Sequence, residues 1–356
     1  MTTTENHPRL VRLLQDYRAA PEEFHATSYW AAYEGRLLEE VSSLDFSQLR
    51  SGKAQILETF GFNDLTYKYQ SKQFFLERWL LKALTRTFGN IREILPYGIR
   101  LKDIREMAVH HCQIAGQLAD ARPIEELSAS DFGKPADLFE YAGQKYTMPF
   151  LNNYVRYCFA KQHIPLTGRD VYVELGTGSG YQVEVLKKSH PDMTFLCFDL
   201  PAQLFLCEEY LRNVFGDDAV VSADETSAWS NLAGVQPGKI HFFGNWKWPL
   251  LKGYEFDLFW NAASFGEMEP EVVRSYLSCI KDSVDYVYLL QARHGKQTSG
   301  TGSVVQKATK FPDYEAMLDG FRLLAEQDAW HAHKKMSGSG GYFQACWKTA
   351  RPGHPA

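Results

Sequence analysis

The chain has 356 residues, 45% of them hydrophobic and 23% charged, which supplies a full core and excludes a disordered protein. A formal net charge of −5 argues against a nucleic-acid partner, since such proteins carry a basic surplus or stripe. The length exceeds one ordinary domain and predicts two units, or one core with a large appendage.

In chain order, "MTTTENHPRL" at the start holds no apolar signal segment, and no stretch approaches the roughly 18 uninterrupted apolar residues of a membrane span. A soluble, cytoplasmic protein with no membrane partner is expected. Cys112, Cys158, Cys197, Cys207, Cys279 and Cys346 are scattered without a CxxC pair and read as buried reduced thiols. Residues 8 to about 120 read as helical. Trp30, Tyr33, Leu37 and Val41 recur at helical spacing, as do Leu76, Trp79, Leu80, Ala83, Leu84 and Phe88, the latter between Ser71 as N-cap and Gly89 as stop. In "IREMAVHHCQIAGQL" the apolar stripe runs Ile104, Met107, His111, Ile114, Leu118. A turn-rich passage, "SASDFGKPADLFEYAGQKYTMP", follows, and "FLNNYVRYCFAKQ" begins another helix. The domain boundary is placed near residue 140, giving a helical cap or dimerisation region over 1–140 and a core over 141–356.

From residue 170 strands and helices alternate. Five strands are predicted at "VYVELG", "TFLCFDL", "KIHFFG", "EFDLFWNA" and "DYVYLLQA", with helices at "AQLFLCEEYLRNVFG" and "PEVVRSYLSCI" among them. That alternation implies a parallel sheet with helices on both faces. The end differs, because "FRLLAEQDAW" and "GYFQACWK" are two strands without a helix between them. They predict an antiparallel hairpin at the sheet edge, so the expected fold is a Rossmann-like, mostly parallel seven-stranded sheet.

The first strand runs into Glu174, Gly176, Thr177, Gly178 and Gly180. A dinucleotide fingerprint would need a glycine at 181, where Tyr181 stands. A phosphate-binding Gly-Lys-Ser/Thr is also missing. Asp199 closes the second strand nineteen residues past Gly180, where an acid can accept both hydroxyls of a ribose. Glu174 would repel a pyrophosphate and suits a ligand with a positive charge, such as an amino group or a sulfonium. S-adenosylmethionine (SAM) fits this set better than NAD. The alternative is that the glycines only make a tight turn.

With E-x-G-x-G-x-G at 174–180, Asp199 and the closing hairpin, the chain resembles the class I SAM-dependent methyltransferases over about residues 140–350. "FGKPADLFEYAGQKYTMPFLNNY", "FDLPAQLFLCEEYL", "FFGNWKWPLL" and "FDLFWNAASFGEMEPEVVRSYL" are similar to the sugar O-methyltransferase group of bacterial natural-product and polysaccharide clusters. The resemblance implies that the loop from Glu174 to Gly180 holds the methionine moiety and that Asp199 takes the ribose. It implies Leu200, Asn245 and Trp246 at the adenine, Asn261 near the sulfonium, and Tyr146 and Thr147 as a cover.

Methyl transfer to a hydroxyl needs in-line alignment and gains from a base. Glu267, just after the fourth strand, is a candidate base or orienting group, or else only an acid preceding Pro270. His294 after the fifth strand titrates in the useful range, or is a surface residue. His111 is a hydrogen-bonded core histidine or faces a substrate cavity. His331 and His333, beside Lys334 and Lys335, read as solvated. No metal-ligand spacing is present. The reading is methyl transfer to a small-molecule hydroxyl, foremost of a sugar or glycosylated natural product, in a possible homodimer. N- or C-methylation and a non-catalytic SAM-binding regulator stay open.

Overall fold

The computed structural model describes residues 7–27, 29–30, 37–38, 40–41, 43–52, 101–296, 305–329 and 341–351. The helix expected at 71–90, Tyr33, the side chain of Ile104 and the His331–Lys335 group lie outside them. Leu37 and Val41 are buried, as their spacing requires.

Ten strands and eight helices are present among the described residues. In chain order they are α1 (Pro8–Ala19), α2 (Leu101–Leu118), β1 (Phe139–Tyr141), β2 (Gln144–Tyr146), α3 (Met148–His163), β3 (Val171–Leu175), α4 (Tyr181–Ser189), β4 (Thr194–Asp199) and α5 (Pro201–Phe215). There follow β5 (Val220–Val221), α6 (Ala223–Ser227), β6 (Ile240–Gly244), β7 (Phe256–Ala262), α7 (Pro270–Ile280), β8 (Val284–Ala292), α8 (Phe311–Met317), β9 (Phe321–Asp328) and β10 (Tyr342–Thr349).

The main sheet has the order β5-β6-β4-β3-β7-β8-β10-β9. All its pairs are parallel except those of β10 with β8 and β9, the closing hairpin. The seven predicted strands are there, and the two-residue β5 adds an eighth at the edge. Every residue of β4 and β6 is buried, as expected of parallel strands covered on both faces. Proline in the first turn starts α5 and α7, where its missing N–H costs nothing. The chain lays β4 and then β6 outward on one side of β3 and returns to lay β7 and β8 on the other. That reversal leaves a crevice at the carboxyl ends of β3, β4 and β7, where open α/β sheets bind ligands.

The N-terminal helices share one apolar cluster with the sheet: Leu10, Leu13, Leu37 and Cys112 join Tyr172, Phe195 and Trp260. Arg9 pairs with Glu208 at 2.9 Å and Arg12 with Asp224 at 3.4 Å, fastening α1 to α5 and α6. Arg50 is 1% exposed. Its guanidinium lies 4.8 Å from the Tyr210 ring, and its Nε donates to the Phe132 carbonyl at 2.8 Å.

The structure corrects the expected face of α2. Met107, Ile114 and Leu118 are 64%, 56% and 72% exposed, while Val109, Cys112, Ala115 and Ala119 are buried. The second stripe is made of smaller residues, and Gly116 lets the Tyr154 hydroxyl approach where a Cβ would collide with it. Close helix contact favours that face over the bulkier one. The turn-rich passage also contains the β1–β2 hairpin, closed by Ala142 and Gly143, both with positive φ.

Candidate functional site

The crevice is built around the glycine loop. Gly176, Gly178 and Gly180 have φ of 78°, 54° and 74°, a region that side chains other than glycine rarely enter. A Cβ at Gly176 would come within 2.5 Å of Ser264 Oγ, and one at Gly180 within 3.0 Å of Cys207 Sγ and the Leu211 side chain. At these two positions the bare backbone makes room for the protein's own β7–α7 turn and α5.

Asp199 fixes the loop to β4. Its Oδ2 accepts the Gly178 N–H and its Oδ1 the Leu200 N–H, both at 2.8 Å. Only 7% of the residue is exposed. Burial pushes its pKa up to about 7 against the two N–H bonds, and Glu267 adds repulsion. Glu174 is 3% exposed and its Oε2 has no hydrogen-bond partner. Burial holds its pKa well above the usual carboxylate range and the charge of Asp199 pushes the same way, while the neighbouring Tyr172 hydroxyl and, less, Arg156 oppose them. An orphaned buried carboxylate oxygen is costly, and a cationic ligand would remove that cost. The Thr177 hydroxyl, also buried in the loop, lacks a partner too.

The next wall comes from the end of β6. Asn245 donates from Nδ2 to the Phe24 carbonyl at 2.6 Å and to the Tyr276 hydroxyl at 3.1 Å, while its Oδ1 is buried without a partner. Trp246 is half-buried and its ring centroid lies 5.7 Å from that of Tyr17. The segment after α1 thus crosses the strand ends. Thr27 Oγ1 donates to the Glu267 carbonyl at 3.2 Å, and Lys296 stands 5.3 Å from the Tyr29 ring centroid. Sequence reasoning missed this strap, because contacts between residues 24 and 245 leave no local periodic signal.

At the β7 end, Lys296 Nζ bonds Glu267 Oε1 at 2.6 Å, with both side chains mostly buried. Burial alone would lower the Lys296 pKa, but the charge of Glu267, Tyr342 and Tyr29 and the hydrogen bond to Glu267 together raise it. The Glu267 pair therefore faces Asp199, the strap and the crevice together. His294, two residues before Lys296, is exposed on the turn. His111 is half-buried on α2, and burial lowers its pKa, so the structure does not bring either histidine into this group.

Three expected ligand contacts prove to be internal. Asn261 is fully buried, its Nδ2 donating to the Leu175 carbonyl at 2.9 Å and to Ser264 Oγ at 2.7 Å. Its Oδ1 accepts the Phe265 N–H and Gln291 Nε2, so the amide is fully committed and has nothing left for a sulfonium. Tyr146 is buried and donates to the Ile124 carbonyl at 2.9 Å. Thr147 is the buried N-cap of α3, its Oγ1 accepting the Phe150 N–H. Neither covers the crevice. Ala263, in the turn after β7, has φ 69°, a strained conformation of the kind that gathers at functional sites.

No group of three or more His, Cys, Asp or Glu able to hold a metal is present among the described residues, and none of their helices is long and apolar enough to cross a membrane.

No protein-family model matches the sequence, and no curated protein matches it. Solved structures similar to it include a SAM-dependent methyltransferase from Clostridium acetobutylicum, at 12% identity and TM-score 0.36, covering 56% of this chain and 89% of that one. Another is the mitomycin 7-O-methyltransferase, at 12% identity and TM-score 0.37, covering 96% and 72%. A third is the magnesium protoporphyrin IX methyltransferase of Synechocystis with bound S-adenosylhomocysteine, at 11% and 0.34, covering 51% and 74%. These likenesses assign no residue a role. The fold is read from the sheet order.

Proposed function

We propose that the protein transfers a methyl group from SAM to a small-molecule acceptor, most specifically a hydroxyl of a sugar or glycosylated natural product. The observation that carries this is the buried Glu174 carboxylate with its orphaned oxygen, set beside a left-handed glycine loop. When bound, SAM supplies a methyl group on a positively charged sulfur. Glu174 takes the amino group. Asp199 has spent one lone pair per oxygen on backbone N–H groups and keeps two more for ribose hydroxyls. Leu200, Asn245 and Trp246 border the adenine, with the orphaned Asn245 Oδ1 as an acceptor for an amino group.

Glu267 orients the acceptor hydroxyl and receives its proton, with Lys296 fixing the carboxylate from the other side. Alignment of the acceptor supplies much of the rate in such a displacement. The strap, through Phe24, Thr27 and Tyr29, caps the crevice and limits water entry.

Titration calorimetry tests the donor. S-adenosylhomocysteine should bind at micromolar concentrations and NAD should give no heat; the reverse result overturns the reading. A radiolabelled methyl-transfer assay on a panel of hydroxylated sugars and glycosides then tests the acceptor.

A further inference from the structure

The turn after β8 sends its two long cations to different places. Arg293 is spent on Glu326 and Asp328, whereas Lys296 turns to the crevice, its Nζ 2.6 Å from Glu267 Oε1. The lysine stem runs along Gly266, where an added Cβ would lie 3.6 Å from Lys296 Cγ. Gly266 is itself pinned, its N–H donating to Gln291 Oε1 at 3.0 Å. The ammonium therefore arrives beside Glu267 on a fixed backbone, with the Tyr29 ring of the strap on its other side. Glu267 adds to the effect of burial on Asp199, so the pair stands next to the acid assigned to the ribose.

An ammonium has three N–H donors, and fixing Glu267 uses one. Among the described residues no other hydrogen bond uses the remaining two. Only 21% of the lysine side chain is open to solvent, and a mostly buried charge with unspent donors is costly unless something else engages it. An acceptor oxygen bound at Glu267 is within the natural reach of such a group.

When Glu267 takes the proton of an acceptor hydroxyl it becomes neutral. Lys296 then loses its counter-charge at the moment the acceptor oxygen gains one. We infer that Lys296 is a second catalytic residue, whose ammonium passes from Glu267 to the acceptor oxygen and holds the negative charge developing there. The inference rests on the proposed methyl transfer. The O–H bond breaks and its proton goes to the Glu267 carboxylate. An oxygen electron pair forms the bond to the methyl carbon, and the carbon–sulfur bond breaks with its pair left on sulfur. The acceptor leaves as a neutral ether, Glu267 gives its proton to water, and the Glu267–Lys296 pair closes again. The flexible lysine stem permits this change of partner, and a cation already in place in a mostly buried site is worth far more than one in water. The same charge repels a protonated amine, so the acceptor class is a hydroxyl.

4-Nitrophenol, whose phenolate absorbs visible light, tests this in the complex with S-adenosylhomocysteine. Glu267→Gln copies the carboxylate after it has taken the proton and leaves Lys296 charged. In that variant the bound probe should favour phenolate over phenol by about tenfold or more relative to water, as expected of a cation in contact. Adding Lys296→Met should abolish the preference. Adding Lys296→Arg instead keeps a cation and should keep the preference, and it serves if the methionine variant does not fold. A Glu267→Gln complex that holds the probe without preference, a preference that survives Lys296→Met, or no bound probe at all overturns the inference alone. Wild-type protein that binds no S-adenosylhomocysteine overturns the proposed function and this inference with it.

Discussion

The pH dependence of stability offers a sharp test of how Asp199 is held. Its pKa stands at about 7 in the folded chain, against about 3.9 for an unperturbed aspartate. Between those values the native state binds more protons than the unfolded state, so stability falls as pH rises through this window. The loss is complete above about pH 8. Integrated over the whole shift, ionising this one group costs about 4 kcal/mol, and roughly 2–3 kcal/mol of that falls between about pH 5 and pH 8. Asp199→Asn keeps an oxygen for one of the two backbone N–H groups and has nothing to ionise. Urea unfolding of the ligand-free protein at several pH values should therefore give a steep fall for wild type and a flatter one for the variant. Glu174, also raised by burial, keeps some slope in both. The difference in unfolding free energy between the two proteins should shift in favour of the variant by about 2–3 kcal/mol across that range. Parallel curves would refute the reasoning, since they would mean that Asp199 is solvated or already neutralised.

The same shifts predict ligand behaviour: affinity for S-adenosylhomocysteine should rise with pH through about 7, because Asp199 must ionise to hold hydroxyls and Glu174, raised by burial, must ionise to hold an ammonium; calorimetry in buffers of matched ionic strength reads this. Gly176→Ala should destabilise the protein by about 1–3 kcal/mol without any ligand, since both its φ of 78° and the Ser264 side chain oppose a Cβ; thermal melts check it, and an unchanged melt would return the loop to a purely ligand-driven role. Glu267→Gln should lower turnover by about a hundredfold or more while S-adenosylhomocysteine affinity stays within about threefold; paired kinetics and calorimetry separate the two. Arg50→Ala should cost about 3 kcal/mol or more in urea unfolding, because it strips a buried guanidinium from the rings of Tyr181 and Tyr210.

Much of the core was legible because its signals are local. Strand alternation, the glycine triplet and an acid at the end of the next strand all lie within about thirty residues, and the sheet puts Glu174 and Asp199 at adjacent strand ends. Other features depend on contacts that no window contains. Asn261 reads as a ligand contact from its position at a strand end, yet Gln291 and Leu175 consume its amide. The α2 stripe misled because two apolar faces compete on one helix, and only the approach of Tyr154 to Gly116 decides between them. The β1–β2 hairpin escaped because its strands are three residues long and its turn is Ala-Gly, not the Asn-Gly or Asp-Gly that marks such turns.

The commitment of Asn261 has a consequence for how such a protein could change its acceptor. One amide ties the end of β3, the turn after β7 and strand β8 into a single rigid floor. Substitutions in that floor disturb donor and acceptor ends together, so new specificity cannot easily be written there. The strap from Pro21 to Trp30 touches the same crevice through a few bonds at Phe24 and Thr27. Libraries confined to Thr27 and Tyr29, which meet the Glu267–Lys296 pair, should alter which acceptor is taken, whereas changes at Phe24 reach Asn245 and the donor end as well.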